Sequence, residues 1–248
     1  MNPSWEAYSS FQEDEQHVFL FSGFYHPEGN FKEGDLLSAF KNNAVHAPLK
    51  LRGSFSGVYW SKKDAQWLLF TDPLGTKPLY YAKTKDGWLV SNHYDTIAIK
   101  LSEHIKLSLN SLSVYQILTY GYSLEKNTIL KGIYRIPIGS VGVLDCIQNT
   151  KFVKPDIDLQ TQSIYKLPVE YHTLQLEEAA EEVNRLFQQS IHRSFQLDLN
   201  MGREHLVALS GGLDSRMTSW VAHSLGYKNQ TNLTFGQSNS LDKTIAQK

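Results

Sequence analysis

The chain has 248 residues, 41% of them apolar and 20% charged, with a formal net charge of −1. That balance suits a soluble globular protein of one large or two modest domains, and it removes any bulk electrostatic case for nucleic acid or an anionic membrane surface. The lone cysteine, Cys146, excludes an internal disulfide. No apolar run approaches the roughly 18 residues of a membrane span, and the start Met1-Asn2-Pro3-Ser4-Trp5-Glu6 lacks the basic and apolar parts of a signal peptide. A cytoplasmic protein with no membrane contact is expected.

In chain order, residues 1–16 read as an arm or short edge, and His17 to Phe21 as a strand. A short helix can start near Glu33, carrying Leu36, Leu37 and Phe40 inward. From Gly53 the pattern has period two, with Phe55, Gly57 and Tyr59 on one face and Ser54, Ser56 and Val58 on the other. A turn at 61–64 leads to a strand at 66–71. Pro73, Gly75 and Pro78 punctuate a loop, and two short strands follow at 79–82 and 87–91. Such spacing predicts an antiparallel meander. A helix is expected over 110–120, capped by Asn110 or Ser111, with Leu112, Tyr115 and Leu118 on one face. Strands are expected at 128–136 and 140–144, and residues 150–172 read as a linker or crossover.

Beyond residue 172 the periodicity turns helical. Leu176, Ala180, Val183, Phe187, Ile191 and Ser194 form an apolar stripe on a helix of about five turns, acidic at its start. The run His205 to Leu209 suits a buried strand. Ser210-Gly211-Gly212-Leu213-Asp214-Ser215 breaks it, and a helix follows at once, with Leu213, Met217, Val221 and Leu225 on one face and Gly226 at its end. A strand at 231–235 and a helix from about Ser240 complete the pattern. Strand, helix, strand implies a βαβ unit and a parallel sheet. Two parallel strands cannot cover themselves, so continuation of the chain past Lys248 is expected, the alternative being packing onto the first domain.

The turn between strand and helix is the strongest chemical signal. Backbone N–H groups at a helix start and the positive end of its dipole together favour an anion, and two glycines allow a sharp bend and close approach of phosphate. The loop lacks the Gly-Lys-Ser/Thr ending of a Walker A motif and the glycine spacing of a dinucleotide fingerprint. It matches the Ser-Gly-Gly-x-Asp-Ser pyrophosphate loop of ATP pyrophosphatases. Ser210 and Ser215 offer hydroxyls, and Gly211 and Gly212 offer N–H groups. Asp214 would repel phosphate unless Mg²⁺ lay between them, which makes it the natural metal ligand. A plain tight turn, with Ser210 or Asp214 as helix cap, is the competing reading.

Other segments extend the resemblance. Leu51-Arg52-Gly53-Ser54-Phe55, Asp72-Pro73-Leu74-Gly75-Thr76-Lys77-Pro78-Leu79-Tyr80-Tyr81, Thr128 to Ile133 with Pro137-Ile138-Gly139, and Thr234-Phe235-Gly236 through Asp242 are similar to segments of the asparagine synthetase family. That family includes relatives that make β-lactams or cyclise peptides. The resemblance implies an α+β, Ntn-hydrolase-like domain with an αββα glutaminase-type sandwich over residues 1–155, and a linker over 156–172. The start of an α/β, adenine-nucleotide-hydrolase-like domain would then fill 173–248. It also implies ATP and Mg²⁺ as cofactors, with Leu209 and Phe235 lining the adenine. A small-molecule carboxylate would be adenylated and attacked by an amine or ammonia.

The departures are specific. The family's glutaminase uses an N-terminal cysteine as nucleophile, and here Met1 is followed by Asn2, Pro3, Ser4 and Trp5. Cys146 reads as a buried structural thiol in a late strand. At the family's oxyanion position, Ser22-Gly23 stands in place of Asn-Gly. A first domain without glutaminase activity is therefore expected, and no catalytic residue is identified in this portion. The family's later catalytic segments find no match, so residues 1–248 are expected to bind ATP weakly without completing a ligation. Arg216 either meets a phosphate or carboxylate or pairs with the acidic helix. The nine histidines show no metal spacing. Three functions stay open: an amide ligase, a non-catalytic binding or assembly module, and, less well supported, a tRNA-thiolating enzyme, which would bring basic patches or paired cysteines. A homo-oligomer also stays open.

Overall fold

The structure is a computed structural model that describes residues 9–27, 36–145, 160–163, 174–237 and 240–246. The chain divides into two compact units, Met1–Pro168 and Val169–Lys248.

In the first unit the elements run β1 (Ser9–Glu13), β2 (His17–Pro27), α1 (Leu36–Asn43), β3 (Leu51–Ser61), β4 (Gln66–Thr71), β5 (Tyr80–Thr84), β6 (Gly87–Ser91), α2 (Tyr94–Ser102), α3 (Ser111–Tyr120), β7 (Ile133–Arg135), β8 (Ser140–Asp145) and β9 (Gln160–Ser163). Two antiparallel sheets result, one ordered β1-β2-β3-β4-β8-β9 and one ordered β6-β5-β7.

Side-chain alternation along the strands fixes the layers. Phe19, Phe21, Phe55, Tyr59 and Phe70 leave one face of the larger sheet and pack on Leu36, Ala39 and Phe40 of α1. The Phe40 ring lies 4.9 Å from that of Phe19 and 4.7 Å from that of Phe70, the separations of an attractive aromatic cluster. Gly57 completes this face, since a Cβ there would meet the Phe70 ring at 2.3 Å. Val58 and Leu69 leave the opposite face and meet Leu79 and Tyr81 of the smaller sheet. That sheet in turn places Ala82 and Ile133 against Ile97 and Leu101 of α2. The order is helix, sheet, sheet, helix, the αββα layering implied by the family resemblance.

One buried charge ties these layers together. Asp72 is fully buried after β4, and its carboxylate accepts from the amides of Phe55 (3.1 Å), Leu74 (2.9 Å) and Thr76 (3.0 Å), and from the Thr76 hydroxyl (2.7 Å). Its backbone carbonyl accepts from Gly75 at 3.0 Å and Gly139 at 2.9 Å. The loop read as punctuation is thus a carboxylate-centred turn joining β3, β4 and the approach to β8. At the other end of the sheet, Lys41 and then His17 hold the Asp14 carboxyl well below the usual carboxylate range, pinning the β1–β2 turn to α1.

Several expectations shift. The helix α2 is absent from the sequence reading; Ile97 and Leu101 alone face inward, too short a pattern to stand out. The helix α3 forms with the Asn110 cap as expected, yet Leu112, Tyr115 and Leu118 are exposed and Ser113 is the buried residue. The strand expected at 128–136 shrinks to β7, because the Thr128 hydroxyl bonds to the carbonyls of Ile133 and Leu130 and closes a turn. Within the expected linker 156–172, Gln160–Ser163 is a strand paired with β8. Cys146 lies outside the described residues.

The second unit runs α4 (Leu176–Asn200), β10 (His205–Ala208), α5 (Leu213–Ser224), β11 (Gln230–Leu233) and α6 (Leu241–Ala246). The strands β10 and β11 are parallel, with Leu206 opposite Thr231 and Ala208 opposite Leu233. Their core joins Ile191 and Phe195 of α4, Val207, Val221 and Ala222 of α5, and Tyr227. Buried His205 shares a hydrogen bond with the Phe195 carbonyl (2.9 Å), and the Tyr227 hydroxyl meets His192 Nδ1 at 2.7 Å, satisfying polar groups inside this core. The helix α4 is 25 residues long, past the expected end near Ser194, and opens with a capping box between Gln175 and Glu178. Only its later half is packed, since Leu176 and Val183 are exposed. Leu206 and Leu233 share the opposite sheet face and are exposed.

Candidate nucleotide-binding site

In the parallel pair the carboxyl ends of β10 and β11 lie side by side, the place where open α/β sheets bind ligands. Two bonds join them: the Leu209 amide donates to the Leu233 carbonyl at 2.9 Å, and the Thr234 hydroxyl donates to the Leu209 carbonyl at 3.0 Å. Leu209, the loop Ser210–Ser215 and the segment through Phe235 are thereby brought to one end of the sheet. Phe235 is 85% exposed, so its ring face is available to a planar group.

The loop is knit by its own hydroxyls. Ser210 and Ser215 lie Oγ to Oγ at 3.0 Å, the Ser210 amide donates to Ser215 Oγ at 3.0 Å, and the Gly212 amide donates to Ser210 Oγ at 3.1 Å. Gly212 is the N-cap of α5, with φ −74° and ψ 162°, and no side chain caps that helix start. First-turn N–H groups that no cap residue takes are the donors an anion uses. Neither Gly211 nor Gly212 takes a positive φ, so the expected sharp bend is not what the glycines provide. Space is: a Cβ on Gly212 would stand 3.2 Å from Ser210 Oγ, crowding the hydroxyl that closes the loop.

Asp214 lies in the first turn of α5, exposed, with no side-chain hydrogen bond among the described residues. No group of three or more His, Cys, Asp or Glu residues that could hold a metal occurs among the described residues. A cation here would therefore take Asp214 as its protein ligand and complete its shell with phosphate oxygens and water, the usual habit of Mg²⁺. The residues fit that chemistry. Arg216 takes neither expected partner; its Nε donates to the Gly212 carbonyl at 3.1 Å, bracing the loop from behind.

In the first unit, Ser22 lies on β2 beside β3, opposite Ser56, and its Oγ accepts from Asn92 Nδ2 at 3.2 Å. Two polar residues were passed over by the sequence reading, Ser56 and Asn92. Ser56 sits on a face expected to be the more polar one, yet it is 1% exposed. Alternation shows which residues share a face; burial depends on the second sheet.

Residues 34–154 match the glutamine amidotransferase domain family. The chain carries a glutamine amidotransferase domain, and the αββα layering of its first unit fits one. Among curated proteins it is similar to the glutamine-hydrolyzing asparagine synthetase 1 of Bacillus subtilis (strain 168), 24% identical over 187 residues, which cover 75% of this chain and 27% of that protein. The N-terminal amidotransferase portion is asparagine synthetase-like. The chain spans about a quarter of that relative's length. Among solved structures, the glutamine phosphoribosylpyrophosphate amidotransferase of B. subtilis in complex with ADP and GMP has a TM-score of 0.34 and 8% identity, over 62% of this chain and 30% of that one. That likeness is too slight to carry weight on the fold. No helix among the described residues is long and apolar enough to cross a membrane.

Proposed function

We propose that this chain carries the nucleotide end of an asparagine synthetase-like, ATP-dependent ligase, which adenylates a carboxylate, releases pyrophosphate and passes the acyl group to an amine or ammonia. One observation carries the reading: a hydroxyl-knit Ser-Gly-Gly-x-Asp-Ser loop with an uncapped helix start, joined at the carboxyl end of a parallel pair to Leu209 and Phe235. Ser210, Gly211, Gly212 and Ser215 would cradle the phosphates and Asp214 would hold Mg²⁺. Leu209 and Phe235 would flank the adenine. When bound, the cation offsets phosphate charge and steadies the pyrophosphate that leaves.

The first unit is read as a glutaminase scaffold of Ntn-hydrolase type, without glutaminase activity. A hydroxyl at Ser22 replaces the family's carboxamide donor, and no residue near Met1 matches its cysteine nucleophile. Nitrogen would then come from ammonia, from a separate amidotransferase or from the substrate. The second reading, a binding or assembly module, draws on the exposed apolar face of α3.

Calorimetric titration of the full chain with ATP and MgCl₂ tests the proposal. Weak, Mg²⁺-dependent binding, lost in Asp214→Ala and in Gly212→Val, is expected. Binding that is absent at millimolar ATP, or unchanged in both variants, would overturn the nucleotide reading. Glutamate released from glutamine above a heat-treated control would overturn the scaffold reading.

A further inference from the structure

Within the first unit, a cavity of about 350 Å³ lies where β6, the edge of the smaller sheet, faces β1, β2 and β3. Phe11 and Leu20, both well exposed, form its mouth. Ser56 lines it from β3 and is 1% exposed, and its Oγ has no hydrogen-bond partner. Its cross-strand neighbours are hydroxyls too, Ser22 on β2 and Thr71 on β4, and both are engaged: Thr71 donates to the Pro137 carbonyl at 2.9 Å, and Ser22 accepts from Asn92. Ser56 is the member of that row left unspent. A buried hydroxyl without a partner is costly, and a ligand group that pairs with it recovers that cost.

The chemistry of the walls limits the ligand. Ser10, Ser22, Ser56, Ser91 and Asn92 supply the polar groups, and every other lining side chain is apolar; no acidic or basic residue lines the cavity. A zwitterion or an ion entering it would give up its hydration with no countercharge to replace it. A neutral molecule has no such penalty. Hydroxyl and carboxamide walls both donate and accept, so the matching head group does both as well.

We infer that this cavity is a binding site for a small uncharged ligand with a carboxamide head and an apolar body. The head carbonyl accepts from Ser56 and its N–H₂ donates toward Ser22 and Asn92, while the body lies along Leu20, Val58 and Val90. Hexanamide is a suitable probe, with hexanoate and L-glutamine as charged counterparts. In a titration of the ¹⁵N-labelled full chain, hexanamide is expected to shift the amides of Gly57, Val58, Val90 and Asn92 saturably, and the two charged compounds are not. Ser56→Ala should weaken hexanamide about tenfold without lowering thermal stability, because it removes an unpaired hydroxyl. Leu20→Trp, at the exposed mouth, should block entry in a folded protein. The inference is overturned by an absence of saturable shifts, by equal affinity in Ser56→Ala, or by tighter binding of hexanoate or L-glutamine. ATP plays no part in these outcomes, so they stand apart from the fate of the nucleotide reading.

Discussion

Asp72 shows what a single residue does here. A carboxylate with no solvent contact is tolerated because three amides and a hydroxyl point at it, each bond stronger for the full charge. Removing it leaves those donors buried and unpaired. Asp72→Ala should therefore lower the unfolding free energy by about 3 kcal/mol or more, measured by urea denaturation, well beyond the typical surface substitution. Asp72 was legible in the sequence only as part of a turn with Pro73 and Gly75; its burial comes from β3 and from Gly139, far along the chain. The loop Ser210–Ser215 was legible in full, because its six residues are contiguous and bond among themselves. Ser56 and Asn92 were not, since their setting is made by two sheets that meet through tertiary contact alone.

Among the elements, α4 divides into two halves of different standing. Ile191 and Phe195 are buried against β10 and α5, whereas Leu176 and Val183 lie in solvent. The first half is held by its capping box and by the Glu182–Arg185 pair, with Nη2 to Oε1 at 2.6 Å, and exposed contacts of that kind contribute little. Amides over 179–187 should accordingly exchange with solvent about tenfold or more faster than those over 191–198, measured by hydrogen exchange. Equal protection along the helix would show that something covers Leu176 and Val183. The periodic stripe was plain in the sequence, because spacing fixes a face; whether the face is covered depends on what packs against it. The same holds for α3, whose cap at Asn110 was readable and whose exposed Leu112, Tyr115 and Leu118 were not. In α2, two inward residues gave too weak a signal to separate a helix from a loop.

At the scale of the whole molecule there are separate cores. The first unit is held by the clusters around Phe19, Leu69 and Ile97, and the second by the one around Phe195 and Tyr227. Tryptophans report on each: Trp60 and Trp67 sit on β3 and β4, and Trp220 on α5. Phe195→Ala, which removes a ring 4.4 Å from His205 and 5.2 Å from Tyr227, should destabilise the second unit by about 3–5 kcal/mol. Thermal unfolding should then split, with fluorescence from Trp220 lost early and that of the first unit unmoved. A single transition lowered for both reporters would count against separate cores.

The larger sheet also sets an order of events. Leu69 of β4 pairs with Gly142 of β8, and the whole smaller sheet and α2 and α3 intervene between them. Contacts so distant along the chain incur loop-closure entropy before they contribute anything, and they slow folding. While the chain emerges from the ribosome, β1 to β4 can form a hairpin ladder, but β4 stays an open edge carrying Leu68, Leu69 and Phe70 until β8 has been made. That interval, with an apolar strand unpaired, is when this protein is most exposed to aggregation and most dependent on a chaperone.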